Sequence, residues 1–230
     1  MTAGRRQSGF SLTEVLLAVV TLAIGMLFVG GTFVLGIHFS RLSTEQAIGV
    51  VVAQEAFTKL QLYDVNSINT NSVQGQLTLL DVNGVALEPN DVEYAYPSTE
   101  DVSVRQYRWR AIGRRLTDTD LFEVTVFVLR EQFLSQSVPS LISDVDTLKS
   151  RAINGMKVVL DQSGLIQRVS ISRDDSDTAP PSLFPQPIGF DEDNAAWWMI
   201  DPVAGRDPCV GIYQKIMRIT SPTLLSGVTP

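Results

Sequence analysis

Hydrophobic residues fall into two regimes along this chain. From Val15 to Phe39 they run almost unbroken, and no charged residue stands between Glu14 and Arg41. A helix of that length reaches about 35 Å at 1.5 Å per residue, enough to cross the hydrocarbon core of a bilayer. From Arg41 to Tyr63 the run becomes amphipathic: Gly49, Val52, Ala53, Ala56, Leu60 and Tyr63 share one stripe, while Glu55 and Lys59 stand four apart on another. No proline separates the two stretches. One long helix is therefore expected, ended by the Asn- and Ser-rich segment from Asn66 to Gly75.

Beyond it the apolar period shortens to two. Leu77–Val82 and Val85–Leu87 flank Asn83-Gly84, the signature of a hairpin closed by a type I′ turn. A short strand is expected over Val92–Tyr96 and a longer one over Val102–Ile112. In the latter the apolar parity changes from Val102 and Val104 to Tyr107, Trp109 and Ala111, so a bulge is expected near Arg105-Gln106. Leu121–Leu129 has the clearest strand pattern, with Phe122, Val124, Val126 and Val128 on one face and Glu123 and Thr125 on the other; it should pair with the preceding strand around Gly113–Asp120. Val138–Ser150 reads as a loop or short helix, and Met156–Leu160 with Leu165–Ile171 as a second hairpin. The Asp-, Ser- and Pro-rich stretch Ser172–Pro187 reads as an exposed loop, and Ile212–Ile219 as a last strand. The expected fold class is α+β: a long N-terminal helix, half membrane and half amphipathic, packed on an antiparallel β-sheet. The expected division is 1–9, 10–63 (spanning at about 15–39) and a β-rich domain over 64–230.

Composition narrows the function. The 230 residues carry a formal charge of −7, which argues against general nucleic-acid binding. The one basic concentration is Arg105, Arg108, Arg110, Arg114 and Arg115, interleaved with Tyr107 and Trp109. Such a pattern suits single-stranded DNA or, in an acidic domain, a solvent-facing strand whose arginines pair with carboxylates. Trp197-Trp198 reads as one core ring and one partly exposed ring, or as an adhesive surface. The single cysteine, Cys209, allows no internal disulfide and reads as a small buried residue, with an intermolecular bond as the alternative. His38 is the only histidine and stands where the apolar run ends, which excludes multi-histidine and His-Cys metal sites. Asp191, Glu192, Asp193 and Asn194 offer the oxygen donors that calcium takes, without the alternation of an EF-hand; a solvated acidic loop is the other reading. Gly-x-Ser-x-Gly, phosphate-loop, Cys-x-x-Cys and HExxH patterns are all missing, and no enzymatic activity is expected.

The apolar run is too long for an ordinary secretory signal and no Ala-x-Ala pattern follows it. A plain signal anchor would fit its length and the preceding Arg5 and Arg6 but would leave Glu14 unexplained, and a carboxylate at the edge of an apolar span is a functional candidate by default. Gly9-Phe10-Ser11-Leu12-Thr13-Glu14-Val15-Leu16-Leu17-Ala18 resembles the type IV prepilin cleavage and methylation signature: a short basic leader ending in glycine, an aromatic first mature residue and glutamate as its fifth. Val19–Leu27 is most similar to PilV-type minor pilins and I-type pseudopilins. The resemblance implies cleavage after Gly9 by a prepilin peptidase, N-methylation of Phe10, and a role for Glu14 in assembly with other pilin or pseudopilin subunits through an inner-membrane assembly platform. It implies a type IV pilus or type II secretion pseudopilus. The arginines before the run keep the N-terminus cytoplasmic by the positive-inside rule, which sends the C-terminal domain to the periplasmic or extracellular side. Thr21 before Gly25 and Thr32 before Gly36 are small-xxx-small pairs suited to close helix approach in lipid. The alternative is a single-pass anchored binding or sensor domain that does not polymerise.

Overall fold

The computed structural model describes residues 11–63, 65–67, 75–101, 103–116, 121–131, 140–162, 165–172, 182–184, 196–203 and 205–219. Helix α1 runs without a break from Leu12 to Leu62, through Gly25, Gly30, Gly31 and Gly36. The chain divides into two compact units, one up to Glu45 and one from Gln46 onward. All the buried residues of α1 lie in the second unit: Gly49, Val52, Ala53, Ala56, Phe57 and Leu60. That is the stripe read from the sequence with Phe57 added and without Tyr63, which lies past the end of α1 and is half-buried. Lys59 closes on Glu55 at 3.0 Å as the i, i+4 spacing requires, and also donates to the Glu93 carbonyl at 2.7 Å.

The strands of the second unit are β1 (Val65–Ser67), β2 (Gly75–Leu79), β3 (Ala95–Tyr96), β4 (Tyr107–Arg115), β5 (Leu121–Arg130), β6 (Leu141–Ile142), β7 (Lys157–Gln162), β8 (Leu165–Ser172), β9 (Ser182–Phe184), β10 (Ala196–Ile200) and β11 (Cys209–Arg218); α2 covers Val145–Arg151. They form two antiparallel sheets instead of the one expected. The first has the order β1-β2-β4-β5-β11 with β3 on β4, and the second β6-β10-β7-β8-β9. In the first, β4 and β5 pair in continuous register from Tyr107 opposite Arg130 to Arg115 opposite Phe122.

Alternation along β4 and β5 explains the layering. Trp109, Ala111, Val124, Val126 and Val128 meet Val52, Ala56 and Leu60 of α1 in one core. The opposite face, with Ile112, Phe127 and Leu129, meets Val159 of β7 and Ile200 of β10 in a second core. The outer face of the second sheet, with Val158, Leu160, Ile171 and Met199, is closed by Leu148 of α2 and by Ala152. Asp144 starts α2 by accepting a hydrogen bond from the Thr147 N–H at 2.8 Å, and the Thr147 side chain together with this N–H holds its carboxyl below the usual range.

Several local expectations are corrected: Val92–Tyr94 forms a 3-10 turn, so only Ala95–Tyr96 of the expected strand pairs, and Ser182–Phe184 within the expected loop pairs with β8. The Gly84 N–H bonds to the Asp81 carbonyl at 3.0 Å, so Val82 and Asn83 form the turn centre and Gly84 follows in the left-handed region at φ +76°. The Asp81 carboxylate accepts from the N–H groups of Asn83 and Val85, which fixes this longer loop and displaces the type I′ turn. The bulge expected near Arg105-Gln106 does not form either, because β4 starts only at Tyr107 and Val104 is solvent-exposed in the preceding turn. The register irregularity of this sheet lies between Cys209 and Gly211, in β11.

Candidate functional site

Glu14 stands in the first turn of α1, where its N–H bonds to the Ser11 carbonyl at 3.0 Å. From there to Phe39 every side chain of the helix is exposed, including Leu27, Phe28 and Phe33 at 70 % or more. The helix is long and apolar enough to cross a membrane. Two of its hydroxyls are bonded within the helix: that of Thr21 donates to the carbonyls of Leu17 and Ala18, and that of Thr32 to those of Phe28 and Val29, at 2.9–3.0 Å.

At 100° per residue, positions 14, 18, 21, 25, 32 and 36 fall within about 60° of one another. Glu14, Ala18, Thr21, Gly25, Thr32 and Gly36 therefore share one narrow stripe, with the carboxylate at its head and Phe39 at its far end. A Cβ added at Gly25 or Gly36 would meet nothing within 4 Å, so the stripe is open to another helix. Gly9 and Phe10, the two other residues of the processing signature, lie outside the described residues, as do the calcium candidates Asp191, Glu192 and Asp193. Among the described residues no group of three His, Cys, Asp or Glu could hold a metal ion. His38 is exposed on α1.

Four of the five clustered arginines are buried instead of solvent-facing, which corrects that part of the expectation, while Arg115 is half-buried and the expected pairing with carboxylates is found at Arg108 and Arg114. Arg105, Arg108, Arg110 and Arg114 are each no more than 7 % exposed, because the second sheet and the loops at Pro89 and Thr99 cover them. Arg108 grips Glu131 at 2.9 Å, and both Arg108 and Arg110 donate to the Pro89 carbonyl. Arg105 donates to the Thr99 and Glu100 carbonyls. Arg110 also lies over the Tyr94 ring at 5.2 Å, and burial pulls its guanidinium down to about 10. Arginines engaged in this way present little charge to a phosphate backbone.

No family model matches the chain, and neither a curated protein nor a solved structure matches it.

Cys209 is buried at the start of β11, where burial pushes its thiol up to about 12, with the nearby Asp207 acting in the same direction. Trp197 is buried and Trp198 half-buried, as the core reading of that pair anticipates. One constellation escaped sequence reasoning. Lys157 and Arg168 stand eleven residues apart, but the β7–β8 register places Arg168 opposite Val159, one same-face position from Lys157. Both reach β11, where Lys157 Nζ donates to the Val210 carbonyl at 3.2 Å and Arg168 Nη1 to the Ile212 carbonyl at 2.7 Å. Nothing in the linear order marked them.

Proposed function

We propose that this chain is a structural subunit of a type IV pilus or type II secretion pseudopilus, a minor pilin or pseudopilin, assembled through α1. Prepilin peptidase cuts after Gly9, and Phe10 becomes the methylated first residue. Cleavage frees an amino cation at the edge of the apolar span, and Glu14 of one subunit neutralises that of its neighbour as helices leave the inner membrane for the filament. The leader side is cytoplasmic and the β-rich unit periplasmic or extracellular; removing the two leader arginines takes the formal charge from −7 to −9.

The observation that carries this reading is the placement of Glu14: it heads the open stripe Ala18, Thr21, Gly25, Thr32 and Gly36, five residues after the leader glycine. A plain anchor requires neither the carboxylate nor its alignment. Mass spectrometry of the intact chain and its N-terminal peptide, after extraction from the native membrane, tests it. A chain beginning at methylated Phe10 supports the reading; one beginning at Met1 or Thr2 removes its main support. Glu14→Gln should leave processing intact and abolish incorporation into filaments, whereas a non-polymerising anchored domain would be indifferent to it.

A further inference from the structure

A groove of about 560 Å³ opens beside α1, β7, β8 and β11, lined by Val50, Val210, Ile212 and Tyr213 and by Lys157 and Arg168. No acidic residue lines it. Neither of these two exposed cations forms an ion pair within 4 Å among the described residues, although the Asp207 carboxylate stands near Lys157 and accepts its backbone N–H. Each spends one N–H on a backbone carbonyl of β11. A lysine ammonium has three donors and a guanidinium five, so most of their donors remain available.

Both anchors lie on β11, Val210 at its register irregularity and Ile212 just beyond it. An oxyanion between the two cations would accept charge-assisted bonds of about 2.8 Å. The apolar lining, together with the Tyr213 ring, accommodates the body carrying the anion.

We infer that the Lys157–Arg168 groove is a binding site for a carboxylate borne on an extended apolar or peptide body, a function separate from assembly through α1. The two β11 carbonyls hold the cations in place before the ligand arrives, so less side-chain entropy is lost on binding. Free phosphate shares the oxyanion chemistry but leaves the apolar lining uncovered.

Isothermal titration calorimetry on the detergent-solubilised full chain tests this, with N-acetyl-Ala-Val-Ala-Val carrying a free C-terminal carboxylate, hexanoate and inorganic phosphate as probes at constant ionic strength. The expected result is saturable one-to-one binding of the peptide or hexanoate, weakened at least tenfold by Arg168→Gln or Lys157→Gln and unchanged by Arg151→Gln, which removes an exposed cation elsewhere. Peptide tighter than hexanoate assigns a polypeptide source, and the reverse a free organic acid. Phosphate binding tighter than both overturns the apolar-body part of the inference. No saturable binding, or binding that survives both groove substitutions or falls equally with Arg151→Gln, overturns the site. Circular dichroism melts of the three variants separate lost binding from lost folding.

Discussion

Arg114 joins the two sheets by holding a carboxylate on each: its Nη2 is 2.7 Å from Glu123 Oε2 on β5, and its Nη1 is 3.1 Å from Asp161 Oδ1 on β7. Breaking such a pair leaves two half-buried acids without their counter-charge. Arg114→Met should cost about 2–3 kcal/mol near neutral pH, at the lower edge of what buried pairs cost because both acids retain some solvent. Burial already raises the Asp161 carboxyl above its ordinary 3.8, and Arg114 opposes that rise. A carboxyl raised in the folded state favours folding below its unfolded value, and that contribution is lost as pH climbs through the folded value. Losing Arg114 raises the folded value further, so the deficit should be larger at pH 7 than at pH 4, as measured by urea unfolding at both.

The Tyr213 hydroxyl occupies the space that a side chain on Gly49 would need. A Cβ there would lie 2.5 Å from the hydroxyl but 3.4 Å from the ring carbon bearing it. Gly49→Ala gains about 1 kcal/mol of helix propensity and loses about 1–3 kcal/mol to overpacking, so a net loss is expected. In the Tyr213→Phe background the same substitution should become neutral or stabilising, because only the hydroxyl is in the way. A double-mutant cycle by thermal melting checks it, and additivity of the two changes would count against this packing.

Burial along α1 from Gly49 onward predicts a graded response. Leu60→Ala, at a position with no solvent access, should cost about 2–5 kcal/mol. Val51→Ala, at a position 52 % exposed, should change stability by less than about 0.5 kcal/mol. Chemical denaturation of both variants in the same detergent provides the comparison.

Cys209 should be inert in the folded protein. With its thiol pushed up to about 12, only about one molecule in 10⁴ is a thiolate at pH 8. Iodoacetamide should label it at least a hundredfold faster in guanidinium chloride than in native buffer. Rapid native labelling, or a dimer that reductant dissolves, would favour the intermolecular role instead.

The helix was readable because its apolar stripe has one period and one partner: Val52, Ala56 and Leu60 appear in the sequence as they do in the core. The β4–β5 pair was readable for the same reason on the face that meets α1. Its other face was not, because Arg108, Arg110, Arg114, Glu123 and Thr125 have the composition of a wet surface and reveal their burial only through partners that the second sheet and the Pro89 loop bring from elsewhere in the chain. A second layer was therefore missed, although Phe127 and Leu129 on that face hinted at it. The turn at Gly84 slipped by one residue because the Asp81 side chain outweighed the Asn-Gly dipeptide. The Glu14 stripe is legible by counting residues; the Lys157–Arg168 groove needs the hairpin register and the carbonyls of β11, which no linear spacing encodes.

The last third of α1 has a practical consequence for anyone shortening the chain. Because Val52, Ala56, Phe57 and Leu60 supply one wall of the first core, a version trimmed at residue 64 would bare Trp109, Val126 and Val128 to water and should aggregate. A version starting at Gln46 removes the apolar span while retaining that wall. The cut that makes the protein water-soluble thus belongs inside the helix, between Glu45 and Gln46, and not at its C-terminal end, Leu62.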